Sequence, residues 1–162
     1  MKVLVTILIM SLGMSRGTRS QESVLKIIEG VLFGFSADSR LEEIQRCLEN
    51  LDHADRDFYI AYEDIKHQTP LSVEMGLKSL AKAVQVVPLA VDWCQNSPSD
   101  SARFKKAIGS LKQPSYFEFT YKKDLVLNGV SIYREIFKAL EDYENSKFYE
   151  FGFNVGEVLG KI

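Results

Sequence analysis

Seven residues between Val73 and Cys94 fall at alternating intervals of four and three: Val73, Leu77, Leu80, Val84, Val87, Val91 and Cys94. That is the seam of a helix packed lengthwise on other helices. A strand would show its apolar residues at every second position instead. The same spacing recurs through most of the 162 residues, with few prolines to interrupt it. The expected fold is therefore all-α, a single-domain bundle of five to six helices.

The other elements follow from periodicity and stop signals. Gln21 to Phe35 reads as a first helix. Ser39 and Glu42 form a capping box that opens a long second helix with the stripe Leu41, Ile44, Leu48, Leu51, Phe58, Tyr62 and Ile65, ended by Thr69-Pro70. Pro88 lies inside the Val73–Cys94 seam, so one helix kinked near Val84 is expected there rather than two. Phe104, Ile108 and Leu111 mark a short helix, and Ser146 to Ile162 a last one. The segment from Tyr116 to Tyr143 carries two signals. Phe117, Phe119 and Tyr121 alternate as in a strand, and Asn128-Gly129 is a hairpin turn signal. Against this, Ser115 with Glu118 is a capping box, and Val126, Val130, Tyr133, Phe137 and Leu140 make a helical stripe. Helix is the favoured expectation, because an isolated hairpin would have no sheet to join.

The N-terminus sets the compartment. Lys2 precedes the apolar run Val3–Leu12, which is too short to span a bilayer, and small residues stand at Ser15 and Gly17. Residues 1–17 are thus expected to be a cleaved signal peptide, cut after Gly17 or alternatively after Ser15, leaving a domain of residues 18–162. The chain is expected in the secretory-pathway lumen or outside the cell, with no transmembrane span in its mature part. There an even pair of cysteines favours a disulfide, Cys47–Cys94. Measured along two antiparallel helices from a turn near residue 69, Cys47 stands about 33 Å and Cys94 about 38 Å away. A kinked helix can absorb that difference.

Loss of Lys2 and Arg16 takes the formal net charge from −2 to −4, which argues against nucleic acid as a partner. The charge is unevenly spread. Asp38 to Asp64 holds nine acids and three bases, whereas Arg103, Lys105, Lys106, Lys112, Lys122 and Lys123 face only Glu118. The basic segment is a candidate contact for an anionic surface. Gly30 and Gly34, and again Gly152, Gly156 and Gly160, are four apart in helical stretches. Each costs about 1 kcal/mol against alanine, and such spacing lets helix backbones approach closely. The first and last helices are expected to cross at those glycines. Two sharper readings have the terminal helices open onto lipid or form a homo-oligomer.

No catalytic constellation emerges, so no enzyme activity and no cofactor are expected. Glu49, His53 and Asp57, four apart on the expected second helix, are a weak metal candidate without a second half. Trp93 beside Cys94 is expected to pack over the disulfide, with ligand stacking as the alternative.

The stretches Lys122–Ile136, Phe148–Gly156 and Glu29–Gly34 resemble small signal-bearing helical proteins of ciliated protists that have no assigned activity. The resemblance implies an all-helical secreted domain and supplies no catalytic residues. The expected function is non-enzymatic binding of an apolar or lipid ligand, or of a lipid surface. The alternative is a structural or interaction module that oligomerises through its glycine-spaced helices.

Overall fold

Helical periodicity is realised along most of the chain in a computed structural model that describes residues 15–162, with side chains described from residue 21. The expected signal segment lies outside them apart from Ser15 to Gly17, which begin the first helix. The elements are α1 (Ser15–Gly34), α2 (Leu41–Ile44), a 3-10 turn (Gln45–Cys47), α3 (Leu51–Lys66), α4 (Pro70–Val84), α5 (Val86–Cys94) and α6 (Pro98–Lys112). There follow β1 (Phe117–Thr120), β2 (Asp124–Leu127), β3 (Val130–Ser131), α7 (Tyr133–Glu144) and α8 (Phe148–Lys161).

One core unites these elements. Ile27, Ile28, Val31 and Phe35 of α1 enter it beside Phe58 of α3, Leu77 and Leu80 of α4, Phe104 of α6 and Val155 of α8. Helices α3 and α4 form an antiparallel hairpin, and α1 lies along α8. Between α3, α4, α7 and α8 the packing closes to a void of about 10 Å³, too small for an apolar guest.

The structure departs from the sequence expectation at three places. The second helix does not start at Ser39. The Ser39 amide and hydroxyl both donate to Asp100 Oδ2, at 2.8 and 2.9 Å, and are buried there. Arg40 takes the cap position, its amide donating to Glu43 Oε2. Only one turn of α-helix forms, and Leu48 turns extended. Asn50, at φ 60°, then enters the left-handed region that asparagine tolerates and starts α3 anew.

The second departure is a break at Gln85 where a kink was expected. Proline has no amide proton for the carbonyl four residues back and crowds it; for Pro88 that carbonyl belongs to Val84, where α4 ends. With α4 and α5 separate, seven helices of nine or more residues are present among the described residues, one above the expected range.

The third departure is the segment from 116 to 131, which is a three-stranded antiparallel sheet of order β1-β2-β3 and not helix. Asn128 and Gly129 have φ of 50° and 83°, the pattern of a two-residue hairpin turn. The Asn128 side chain accepts from the Ser115 amide, the Ser115 hydroxyl and the Tyr116 amide. Ser115 thus serves the turn and not a helix cap. The sheet needs no larger sheet to join. Leu125 and Leu127 are fully buried, β1 packs on α4 and β2 on α7, and Phe119 stacks on Phe137.

Candidate functional site

The glycines come together inside the molecule. α1 and α8 run side by side with their backbones touching. A Cβ built on Gly30 would sit 2.1 Å from the Tyr149 carbonyl oxygen, and one on Gly34 2.1 Å from that of Phe153. From the other helix, Gly152 would meet the Ile27 carbonyl at 2.0 Å and Gly156 that of Val31 at 2.4 Å. The obstacle is backbone at every one of these, so no side-chain rotation relieves it. Gly160 stands apart, with nothing nearer than 4.0 Å. Four glycines therefore serve one intramolecular crossing.

The disulfide Cys47–Cys94 is present, with the two Cα atoms 6.1 Å apart. It ties the 3-10 turn, not the second long helix, to the end of α5. Trp93, next to Cys94, is not a core residue: it is 54 % exposed, one turn from the exposed Leu89.

The weak metal candidate dissolves on the same ground as the second helix. Glu49 precedes α3 and lies beyond the left-handed Asn50, so it shares no helix face with His53 and Asp57. Among the described residues no three His, Cys, Asp or Glu side chains come together as a metal site.

The basic segment divides in two. Arg103 pairs with the buried Asp100 and donates to the Phe35 carbonyl at 3.2 Å, with its guanidinium over the Phe35 ring. Lys105 pairs with Asp92, and that hydrogen bond holds the Asp92 carboxyl below the usual range. These two hold α6 to its neighbours. Lys106, Lys112, Lys122 and Lys123 are exposed and have no carboxylate partner among the described residues.

Three of those free lysines frame β1. Lys112 ends α6 just before the exposed Tyr116, whose hydroxyl donates to Glu118. The other end of β1, about 14 Å away at strand rise, is the three-residue turn Tyr121–Lys123. It is closed by the Lys123 amide donating to the Thr120 carbonyl at 3.0 Å. Tyr121 is 58 % exposed, and the Lys122 ammonium stands 5.1 Å from its ring centre. Lys122 has φ 53°, a region where a side chain is strained.

Sequence reading missed the buried acids. Asp100 fastens the loop after α1 through Ser39, and its one early signal was its place in the first turn after Ser97-Pro98. Glu135, 3 % exposed, receives Lys161 at 2.7 Å and Arg134 at 2.8 Å. Burial pushes its carboxyl upward, but the hydrogen bonds from Lys161 and Arg134 outweigh that and hold it below the usual range. Asp142, also buried, accepts from Asn154 at 2.9 Å. Both acids tie α7 to α8. A charge on a helical stripe carries no sequence mark of its burial, so neither was visible beforehand.

No helix among the described residues is long and apolar enough to cross a membrane. A family model described as SctB-like, secreted protein B-like, matches residues 9–162. No curated protein and no solved structure matches the chain.

Proposed function

We propose, from the premise that this chain belongs to the SctB-like family of secreted proteins, that it is a non-enzymatic binding protein for anionic lipid surfaces. The contact is the Tyr121–Lys122–Lys123 turn, with Lys112 and Tyr116 beside the other end of β1. One observation carries the reading: an exposed aromatic ring stands beside lysines that pair with no carboxylate among the described residues. Tyrosine suits the headgroup layer, where its ring meets acyl chains and its hydroxyl meets water. Each lysine near an anionic leaflet contributes about 1 kcal/mol, screened over about a Debye length. Binding of this kind is reversible and salt-sensitive.

The dense interior favours a surface contact over a lipid held between helices. The narrower resemblance to secreted proteins of ciliated protists belongs to the same reading. Association through the glycine faces does not, because α1 and α8 already occupy them. Co-sedimentation tests the proposal: the protein should pellet with phosphatidylserine vesicles at low salt and stay in solution at high salt. Equal binding to pure phosphatidylcholine vesicles, or none to either, would overturn it.

A further inference from the structure

The outer face of the α1–α8 pair carries a second unexplained surface. Phe33, 64 % exposed, stands beside Phe153 with ring centres 6.0 Å apart. Glu29 is one helical turn before Phe33 on α1, and Glu157 one turn after Phe153 on α8, so each acid lies on the face of its aromatic neighbour. Since the two helices run in the same direction, the acids flank the aromatic pair from opposite ends. Open depressions adjoin Phe33 on two sides, one of about 130 Å³ reaching Glu29, Glu42 and Tyr149, the other of about 480 Å³ reaching Phe153 and Glu157. Glu29, Glu42 and Glu157 have no ion-pair partner among the described residues. Arg40 lines both depressions and is the opposing charge, which leaves the surface acidic by two.

The turn at Tyr121–Lys123 is its complement: one exposed ring followed by two exposed lysines, in the turn between β1 and β2. We infer that this groove receives the Tyr121–Lys122–Lys123 tip of a second copy of this chain. Tyr121 packs against Phe33 and Phe153, and the two lysines meet the acids of the rim. Groove and tip are different surfaces of one molecule, so the contact is heterologous and adds copies head to tail instead of closing a symmetric dimer. Opposed charges on the two surfaces steer the encounter and make it salt-dependent. The inference goes beyond the lipid reading and does not require it. Only the tip is shared, so a copy seated on an anionic surface through its tip cannot at the same time seat that tip in a neighbour.

Sedimentation velocity on the secreted chain tests this with two double neutralisations, the groove pair Glu29→Gln/Glu157→Gln and the tip pair Lys122→Gln/Lys123→Gln, each checked for retained helicity by circular dichroism. The unaltered protein should sediment faster as its concentration rises in low salt and revert to monomer in high salt. Each pair alone should weaken association about tenfold. An equimolar mixture of the two variants retains one good tip and one good groove, and should form a dimer and nothing larger. A protein monomeric at every concentration, association that survives either pair unweakened, or a mixture without dimer would overturn the inference. Phosphatidylserine vesicles separate it from the lipid proposal: the groove variant should still bind them, and the tip variant should not.

Discussion

The α1–α8 crossing and the α6–hairpin region solve opposite problems with equally unusual residues. In the crossing, Gly30, Gly34, Gly152 and Gly156 give up side chains so that two backbones can touch. In the hairpin region, Tyr116, Tyr121 and the lysines are held in water, where burial contributes nothing to stability. Both stood out in the sequence as candidates for lipid contact. The difference teaches that spacing identifies a residue set with a purpose, while exposure decides whether the purpose is internal. Gly30, Gly34, Gly152 and Gly156 serve the crossing, and the surfaces proposed for partners lie outside it, at the basic, aromatic turn and on the outer α1–α8 face.

The comparison can be broken from its structural side first. Gly152→Leu should destabilise by more than about 4 kcal/mol or prevent folding, because the new side chain meets the Ile27 backbone; denaturant unfolding measures it. A loss under about 1 kcal/mol would mean that the helices are not in contact. Removing the clamp with Cys47→Ser and Cys94→Ser should cost about 4 kcal/mol for a closure of 47 residues. That loss should leave the α1–α8 crossing intact once folded.

A smaller effect concerns the tie between α7 and α8. The folded-state pKa of Glu135 is depressed, so its ion pairs stabilise the fold above the ordinary carboxylate pKa, and that stability is lost as the pH falls through the depressed value. A thermal-midpoint series from neutral to acid pH should therefore fall on the acid side, and Glu135→Gln should flatten that limb while lowering the neutral plateau. The smallest effect has the opposite sign. Gly109 lies within α6, where a Cβ would meet nothing within 4 Å. Gly109→Ala should stabilise by about 0.5–1 kcal/mol, showing that helical glycines are interchangeable with alanine only away from the crossing.

Much of the helical architecture was legible, because it rests on local rules. The seam from Val73 to Cys94, the Thr69-Pro70 stop and the pairing of Cys47 with Cys94 follow from spacing, proline geometry and compartment. The failures share a cause, competition from residues distant in sequence. Ser39 has the pattern of a cap, yet Asp100 takes its hydrogen bonds from 61 positions away. Ser115 also has that pattern, yet Asn128 claims it. Helical spacing in Val126, Val130 and Tyr133 was an accident of a strand running into α7. For the candidate surfaces, residue types were legible and neighbours were not. Nothing in sequence separates Lys105, paired with Asp92, from Lys106, and nothing places Glu157 near Phe33.

Hydrogen exchange with and without phosphatidylserine vesicles tests the division between an internal crossing and an external contact most directly. Amides of β1 and the Tyr121–Lys123 turn should gain protection on the vesicles, while those of α1 and α8 keep the protection they have in solution. Faster exchange in α1 and α8 on the vesicles, with the turn unchanged, would contradict the account, since the terminal helices would then be opening onto lipid.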